Sequence, residues 1–222
     1  MVKIIDKIRL VQNAQPFFSF EFFPPKTEAG VENLYLRMER MAGLQPIFID
    51  ITWGAGGSTK ELTMAICEYA HTYFGTDVLM HLTCNNMKVD ELKQILLAAR
   101  EAGIENILAL RGDPPKGAIS WEPIAGGCAN TIDLVKLIRK EHGHYFGIAV
   151  AGFPEGHPQN RENSVNELHF LKEKIDAGAD FILTQFFYDP TVFLGFVSKC
   201  KDAGINCPIL PGNPGFYERC TS

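Results

Sequence analysis

Apolar and polar positions alternate in a regular rhythm along this chain. Runs rich in β-branched and aromatic residues fall at 17–21, 47–52, 78–83, 104–110, 145–151, 180–186 and 207–210, and each predicts a strand. Between them lie segments with apolar residues at helical spacing, most closed by a glycine: Gly43, Gly75, Gly103, Gly143, Gly178 and Gly204. Glycine just past a helix takes the left-handed conformation without a Cβ penalty. The closing pair repeats as Ala-Gly at 42–43, 102–103, 177–178 and 203–204. A strand, a helix and a glycine stop recurring at roughly 26–40 residues predict serial βα units around a parallel sheet.

Two parallel architectures compete. A doubly wound sheet places a glycine-rich phosphate turn after its first strand. Here the first strand runs into Pro24-Pro25, and the glycines follow the second strand as Gly54-Ala55-Gly56-Gly57-Ser58-Thr59. That run lacks the third glycine of GxGxxG and the GK[ST] ending of a P-loop. It reads either as a flexible turn, with Ser58 or Thr59 capping the next helix, or as a loop admitting a ligand close to the backbone.

The polar residues favour an α/β fold of the other kind, a (β/α)8 barrel. Glu21 ends the first predicted strand, Thr52 the second, and His81 with Thr83 the third. Arg111 and Asp113 follow the fourth, His157 the fifth, and Thr184 with Gln185 ends the sixth. Carboxyl ends of barrel strands converge on one mouth, where such enzymes keep their chemistry. One polar residue there is a cap. Six strands in succession are hard to obtain from stability alone.

Glu21 stands in an aromatic run, FSFEFFPPKT, with Phe18, Phe20 and Phe22 alternating against Ser19 and Glu21. At the carboxyl end of a buried strand, apolar surroundings disfavour the charged carboxylate and move its proton affinity toward that of a general acid. The competing reading is a glutamate that pairs with a cation and only closes the strand. His81 likewise reads as a core histidine, Arg111 and Asp113 as an ion pair, Gln185 as a sheet-end amide, and Lys172 with Lys174 as a solvated helix face.

Composition narrows the class. At 222 residues with 46% hydrophobic content, one large domain with a sizeable core is expected. A net charge of −5 argues against nucleic-acid or anionic-membrane partners. No apolar run reaches membrane-spanning length, and the N-terminal segment is amphipathic without a signal-peptide core. Six scattered cysteines without a CxxC pair read as reduced thiols, with no zinc site, in a cytoplasmic protein.

As a set, FEFFPPKT, DITWGAGGST, MHLTCNNM, LALRGDPP, AVAGFPEGHP, DAGADFILTQFFYD and CPILPG resemble the methylenetetrahydrofolate reductases of one-carbon and methionine metabolism, from about residue 16 to Gly212. The resemblance implies a (β/α)8 barrel holding FAD at the strand carboxyl ends. It implies reduction by NADH or NADPH, then hydride transfer to 5,10-methylenetetrahydrofolate, giving 5-methyltetrahydrofolate. Glu21 falls on the family's proton donor, and Asp113 on the aspartate that tunes flavin and pterin. Gln185 falls on the amide that bonds the pterin, to which Asp113 also lies near. Flavin contacts carry over to Thr52, Trp53, His81, Arg111, Gly112, Asp113, Asn130, Thr131, Phe153, His157, Pro158, Glu167 and Lys174. Asn130 and Phe153 stand where the family often has tyrosines, and Glu167 replaces an aspartate.

The resemblance further implies a partial barrel over 1–212 with about seven strands, lacking strand 8 and the final helices, followed by a divergent tail at 213–222. Two readings remain: a reductase, or a shortened non-catalytic variant that binds flavin weakly or associates with a full-length partner. The expected partner is the small-molecule folate, and homo-oligomer formation stays open.

Overall fold

The computed structural model describes residues 3–11, 16–54, 59–112, 124–156 and 164–212, with side chains from 166 onward in the last stretch. Among the described residues, seven strands form one sheet in the order β1-β2-β3-β4-β5-β6-β7. That unbroken order, with helices between parallel strands, is the topology of an incomplete (β/α)8 barrel; a doubly wound sheet reverses direction at its switch point. The chain divides into two compact units, residues 1–148 and 149–222.

The first unit contains α1 (Ile4–Val11), β1 (Phe20–Phe22), α2 (Glu28–Ala42), β2 (Ile49–Ile51), α3 (Lys60–Phe74), β3 (Val78–Thr83), α4 (Val89–Glu101), β4 (Asn106–Leu110) and α5 (Thr131–His142). Register pairs Glu21 with Asp50, Asp50 with Leu79, and Leu79 with Asn106. Alternation then sets Ile49, Ile51, Val78, Met80, Leu82, Ile107 and Ala109 on the opposite face, all buried. Helices α3, α4 and α5 contribute buried apolar stripes at helical spacing: Ile66, Cys67 and Ala70; Leu92, Leu96 and Ala99; Leu134, Val135 and Ile138. Each large aliphatic so buried stabilises by about 1.5–3 kcal/mol, so this layer dominates the unit's stability.

Helix α1 uses Ile4, Ile5 and Ile8 as its buried stripe. The Ile4 amide donates to Asn106 Oδ1 at 2.9 Å, and Lys7 pairs with buried Asp77 just before β3. Both contacts lie at the amino ends of β3 and β4. The helix therefore occupies the edge opposite the predicted chemistry.

The second unit contains the last four residues of β5 (Gly147–Gly152), α6 (Ser164–Asp176), β6 (Phe181–Thr184), α7 (Pro190–Asp202) and β7 (Ile209–Leu210). Its parallel ladder aligns Gly152 with Thr184 and Leu183 with Leu210. Pro190 opens α7, where a missing N–H is harmless, and the Asp189 carboxylate accepts from the Thr191 amide at 2.8 Å.

Two sequence expectations need correction. The first strand is not buried: Phe22 alone is enclosed, while Phe17, Phe18, Phe23 and Glu21 are exposed. As the first strand in the order, β1 has a ladder partner on one side only among the described residues. Nor does Gly43 take the left-handed stop. It remains right-handed at φ −61°, and Gln45 turns the chain at φ +58°. Two further turn bonds, from Leu44 to Met41 and Gln45 to Ala42, carry the helix end past the glycine.

Candidate active site

The carboxyl ends of β1–β4 assemble the polar residues of the first unit. Parallel pairing places Glu21 directly beside Asp50. Asp50 is 3% exposed, and its Oδ1 has no hydrogen-bond partner among the described residues. Burial raises its proton affinity well above the ordinary aspartate value, and the neighbouring Glu21 charge raises it further. Glu21 is open to solvent at its surface, yet the protein around its carboxyl group displaces enough water to raise its proton affinity as well. Solvent screening moderates that shift, so Asp50 holds its proton more firmly.

Past β2, the Thr52 amide donates to the Phe22 carbonyl at 3.0 Å, and the Thr63 hydroxyl donates to the Thr52 carbonyl at 3.1 Å. Thr59 does not cap α3 with its side chain. Its Oγ1 instead accepts from the Gly54 amide at 2.8 Å, fixing the start of the glycine-rich loop. Residues 55–58, including Ser58, lie outside the described residues.

Trp53 Nε1, His81 Nε2 and Thr83 Oγ1 are buried without a hydrogen-bond partner among the described residues. Burial lowers the His81 pKa to about 3, so the imidazole is neutral at any working pH. A lone buried polar group costs about 1–3 kcal/mol. Three of them around the ends of β2 and β3 are where a polar ligand would restore partners.

The β3–β4 ladder continues beyond both strands: the Cys84 amide donates to the Leu110 carbonyl at 3.1 Å, and the Asn85 amide to Arg111 at 3.0 Å. Gly112 then turns at φ +92°, and a Cβ there would lie 2.6 Å from the Asn85 side chain. Gly112→Ala is expected to lower stability by about 1–3 kcal/mol, measured by thermal unfolding. Gly126→Ala is the control: φ is +78°, but nothing stands within 4 Å, so only backbone strain is tested. Equal losses would show that the Asn85 contact is unimportant.

Asn130 and Thr131 open α5. The Asn130 side-chain oxygen accepts from the Asp133 amide at 3.1 Å, and Thr131 is buried. Asn130 thus already serves as a helix cap. Asp113, His157 and Pro158 lie outside the described residues.

In the second unit, Lys174 is half-buried and its Nζ donates to the Ala151 carbonyl at 3.4 Å. It points to the carboxyl end of β5, whereas Lys172 pairs with Asp176 on the helix surface. Glu167 and Phe153 are half-buried. Gln185 exposes its side chain, while its amide donates to the Gly152 carbonyl at 2.7 Å. Thr184 is buried, and its Oγ1 accepts from the Gly212 amide at 2.9 Å.

Asp50 is the residue that sequence reasoning missed. A signal was present: an aspartate inside the apolar run FIDIT, two residues before Thr52 and on the same face as it.

The fold and these strand ends define a βα-barrel protein whose polar groups gather at the carboxyl termini of its strands. A family model described as methylenetetrahydrofolate reductase matches residues 6–213, and the chain belongs to that family. It is 50% identical over 220 residues to methylenetetrahydrofolate reductase (NADH) 1 of Arabidopsis thaliana, covering 95% of this chain and 37% of that protein. It is 40% identical over 210 residues to a probable methylenetetrahydrofolate reductase (NADPH) of Caenorhabditis elegans, covering 92% of this chain and 31% of that one. The chain thus spans about a third of the length of these curated relatives. Among solved structures, its fold is similar to a Clostridium thermocellum protein described as binding two copies of 5-methyl-5,6,7,8-tetrahydrofolic acid. That likeness has a TM-score of 0.62 at 15% identity, over 93% of this chain and 68% of the other. No helix among the described residues is long and apolar enough to cross a membrane.

Proposed function

We propose that this chain carries catalytic-barrel residues of a flavin-dependent reductase that converts 5,10-methylenetetrahydrofolate to 5-methyltetrahydrofolate with NADH or NADPH. The observation that carries it is Glu21, a solvent-reachable carboxyl with raised proton affinity, on the same sheet face as a neutral imidazole. A general acid must hold its proton near working pH and still reach its substrate, and Glu21 meets both conditions. Family membership and the Arabidopsis and Caenorhabditis relatives' names support the reading.

The donor set suits FAD. Trp53 Nε1, neutral His81 and Thr83 Oγ1 offer buried hydrogen-bonding groups, and Arg111 supplies a fixed cation. Gly112 lets the backbone approach where a Cβ would not fit. A flavin held by these residues would supply the hydride-transfer chemistry between the nicotinamide and the folate. Thr52 and Trp53 are assigned to the nicotinamide and flavin, and Asn130, Thr131, Phe153, His157, Pro158, Glu167 and Lys174 to the rest of the cofactor. Asp113 and Gln185 are assigned to the pterin, and Asp113 also to tuning the flavin. Glu21 gives its proton to the ring nitrogen that leaves as the five-membered ring opens.

Purification tests this reading. A yellow protein with a flavin absorbance band that reduces menadione with a nicotinamide coenzyme is the expected result. A colourless protein that does not take up added FAD would overturn it. We further place the protein in the cytoplasm.

A further inference from the structure

Neighbouring parallel strands lie about 4.8 Å apart, and the β1–β2 register sets Glu21 and Asp50 side by side on one face. The two differ in access. Asp50 is 3% exposed with an unpartnered Oδ1 among the described residues, while Glu21 meets solvent. We propose that Asp50 is a positioning residue that forms a proton-sharing pair with Glu21, keeping the acid supplied from a buried reserve. The catalytic consequence rests on the reductase reading; the pairing itself does not.

Two carboxylates in one partly desolvated place do not both ionise readily, and such groups titrate as a unit. The other titratable groups around Asp50 leave this balance to the pair. His81, two residues beyond Asp50's β3 partner, is neutral. Asp77 lies at the amino end of β3 and is held by Lys7 of α1. Arg111 lies beyond the end of β4, and its Nε donates to the Gly112 carbonyl. Cys67 of α3, the helix behind this part of the sheet, has its thiol pushed above the ordinary range by burial.

As pH rises, the first proton leaves mainly from exposed Glu21 and the last stays with Asp50. Over the interval between these steps the pair retains one proton. A fixed fraction of molecules then carries it on Glu21, where a lone carboxyl would lose tenfold occupancy for each pH unit. Delivery breaks the Glu21 O–H bond and leaves the electron pair on its carboxylate. Before delivery the pair's one proton crosses from Asp50 to Glu21, and afterwards water returns one proton to the pair in each turnover.

The direct test follows both side-chain carboxyl carbons by NMR in protein labelled at Asp and Glu. In the wild type each curve should show two steps. Glu21→Gln should move the Asp50 titration to lower pH, and Asp50→Asn should reduce the Glu21 curve to one step. An Asp50 titration unchanged in Glu21→Gln would overturn the pairing, and that variant alters an exposed side chain, so folding does not obscure the result. In the flavin-loaded protein, Asp50→Asn should slow the folate half-reaction on the order of tenfold at the alkaline end of its profile. It should leave the acidic end and flavin reduction unchanged, with Asp50→Glu restoring the alkaline rate. Equal loss at all pH values would mark a structural role and sink the proposal. Absence of folate reduction in the wild type, with coupled titration intact, would count against the reductase reading alone.

Discussion

Glu21→Gln is expected to slow the folate half-reaction by about 10²–10⁴-fold, the range contributed by a positioned general acid. Flavin reduction by the nicotinamide coenzyme should stay within about twofold, because that hydride transfer requires no proton from Glu21. Stopped-flow bleaching and recovery of the flavin band measure the two steps separately. Glutamine keeps the shape of an exposed side chain, so the fold should be unaffected. In the wild type the folate step should fall as pH rises through the raised Glu21 titration, since the protonated form is the active one. The same shift affects stability. A carboxyl with raised folded-state proton affinity contributes stability that is fully present below its unfolded value and lost as pH rises through its folded value. Glu21→Gln should therefore flatten both profiles. A parallel drop in both half-reactions would make Glu21 a structural residue.

Gly212→Ala should be the most damaging single methyl in the second unit. A Cβ at that position would lie 2.1 Å from the Thr184 carbonyl oxygen, a backbone atom with no rotamer through which to escape. The Gly212 amide also donates to Thr184 Oγ1, so relief by moving the chain breaks that bond. Overpacking of this kind costs about 1–3 kcal/mol and occasionally more. At about 2–4 °C per kcal/mol for a chain of this size, the melting temperature should fall by roughly 6–12 °C if the loss is near 3 kcal/mol. Thermal denaturation followed by circular dichroism checks it. Gly195→Ala, where nothing stands within 4 Å, is the internal reference. A Gly212→Ala protein melting with the wild type would show that this close approach relaxes freely.

Strand positions were legible because period-2 alternation and buried apolar runs leave a local signature. The prediction of 78–83 matches β3, whose six residues are all buried. The short outer strands were predicted too long: β1 shifted to 20–22, and β7 kept only Ile209 and Leu210. Ladder hydrogen bonds define a strand's extent, and no single segment encodes its partner. Glycine stops behaved as expected at Gly75, Gly103, Gly178 and Gly204, each with positive φ. Gly43 failed because Gln45 could take the left-handed residue's role two positions later.

The site divides similarly. Sequence alone determined where the candidate residues stand, a polar residue after almost every strand, because alternation and strand ends are properties of the local chain. It also determined the family. Tertiary structure decided who stands beside whom. Pairing β1 with β2 in one register brought Glu21 against Asp50, burial separated their proton affinities, and folding turned Lys174 toward β5 while leaving Lys172 on the surface. Those outcomes depend on desolvation and on contacts between segments distant along the chain, which the order of residues does not display.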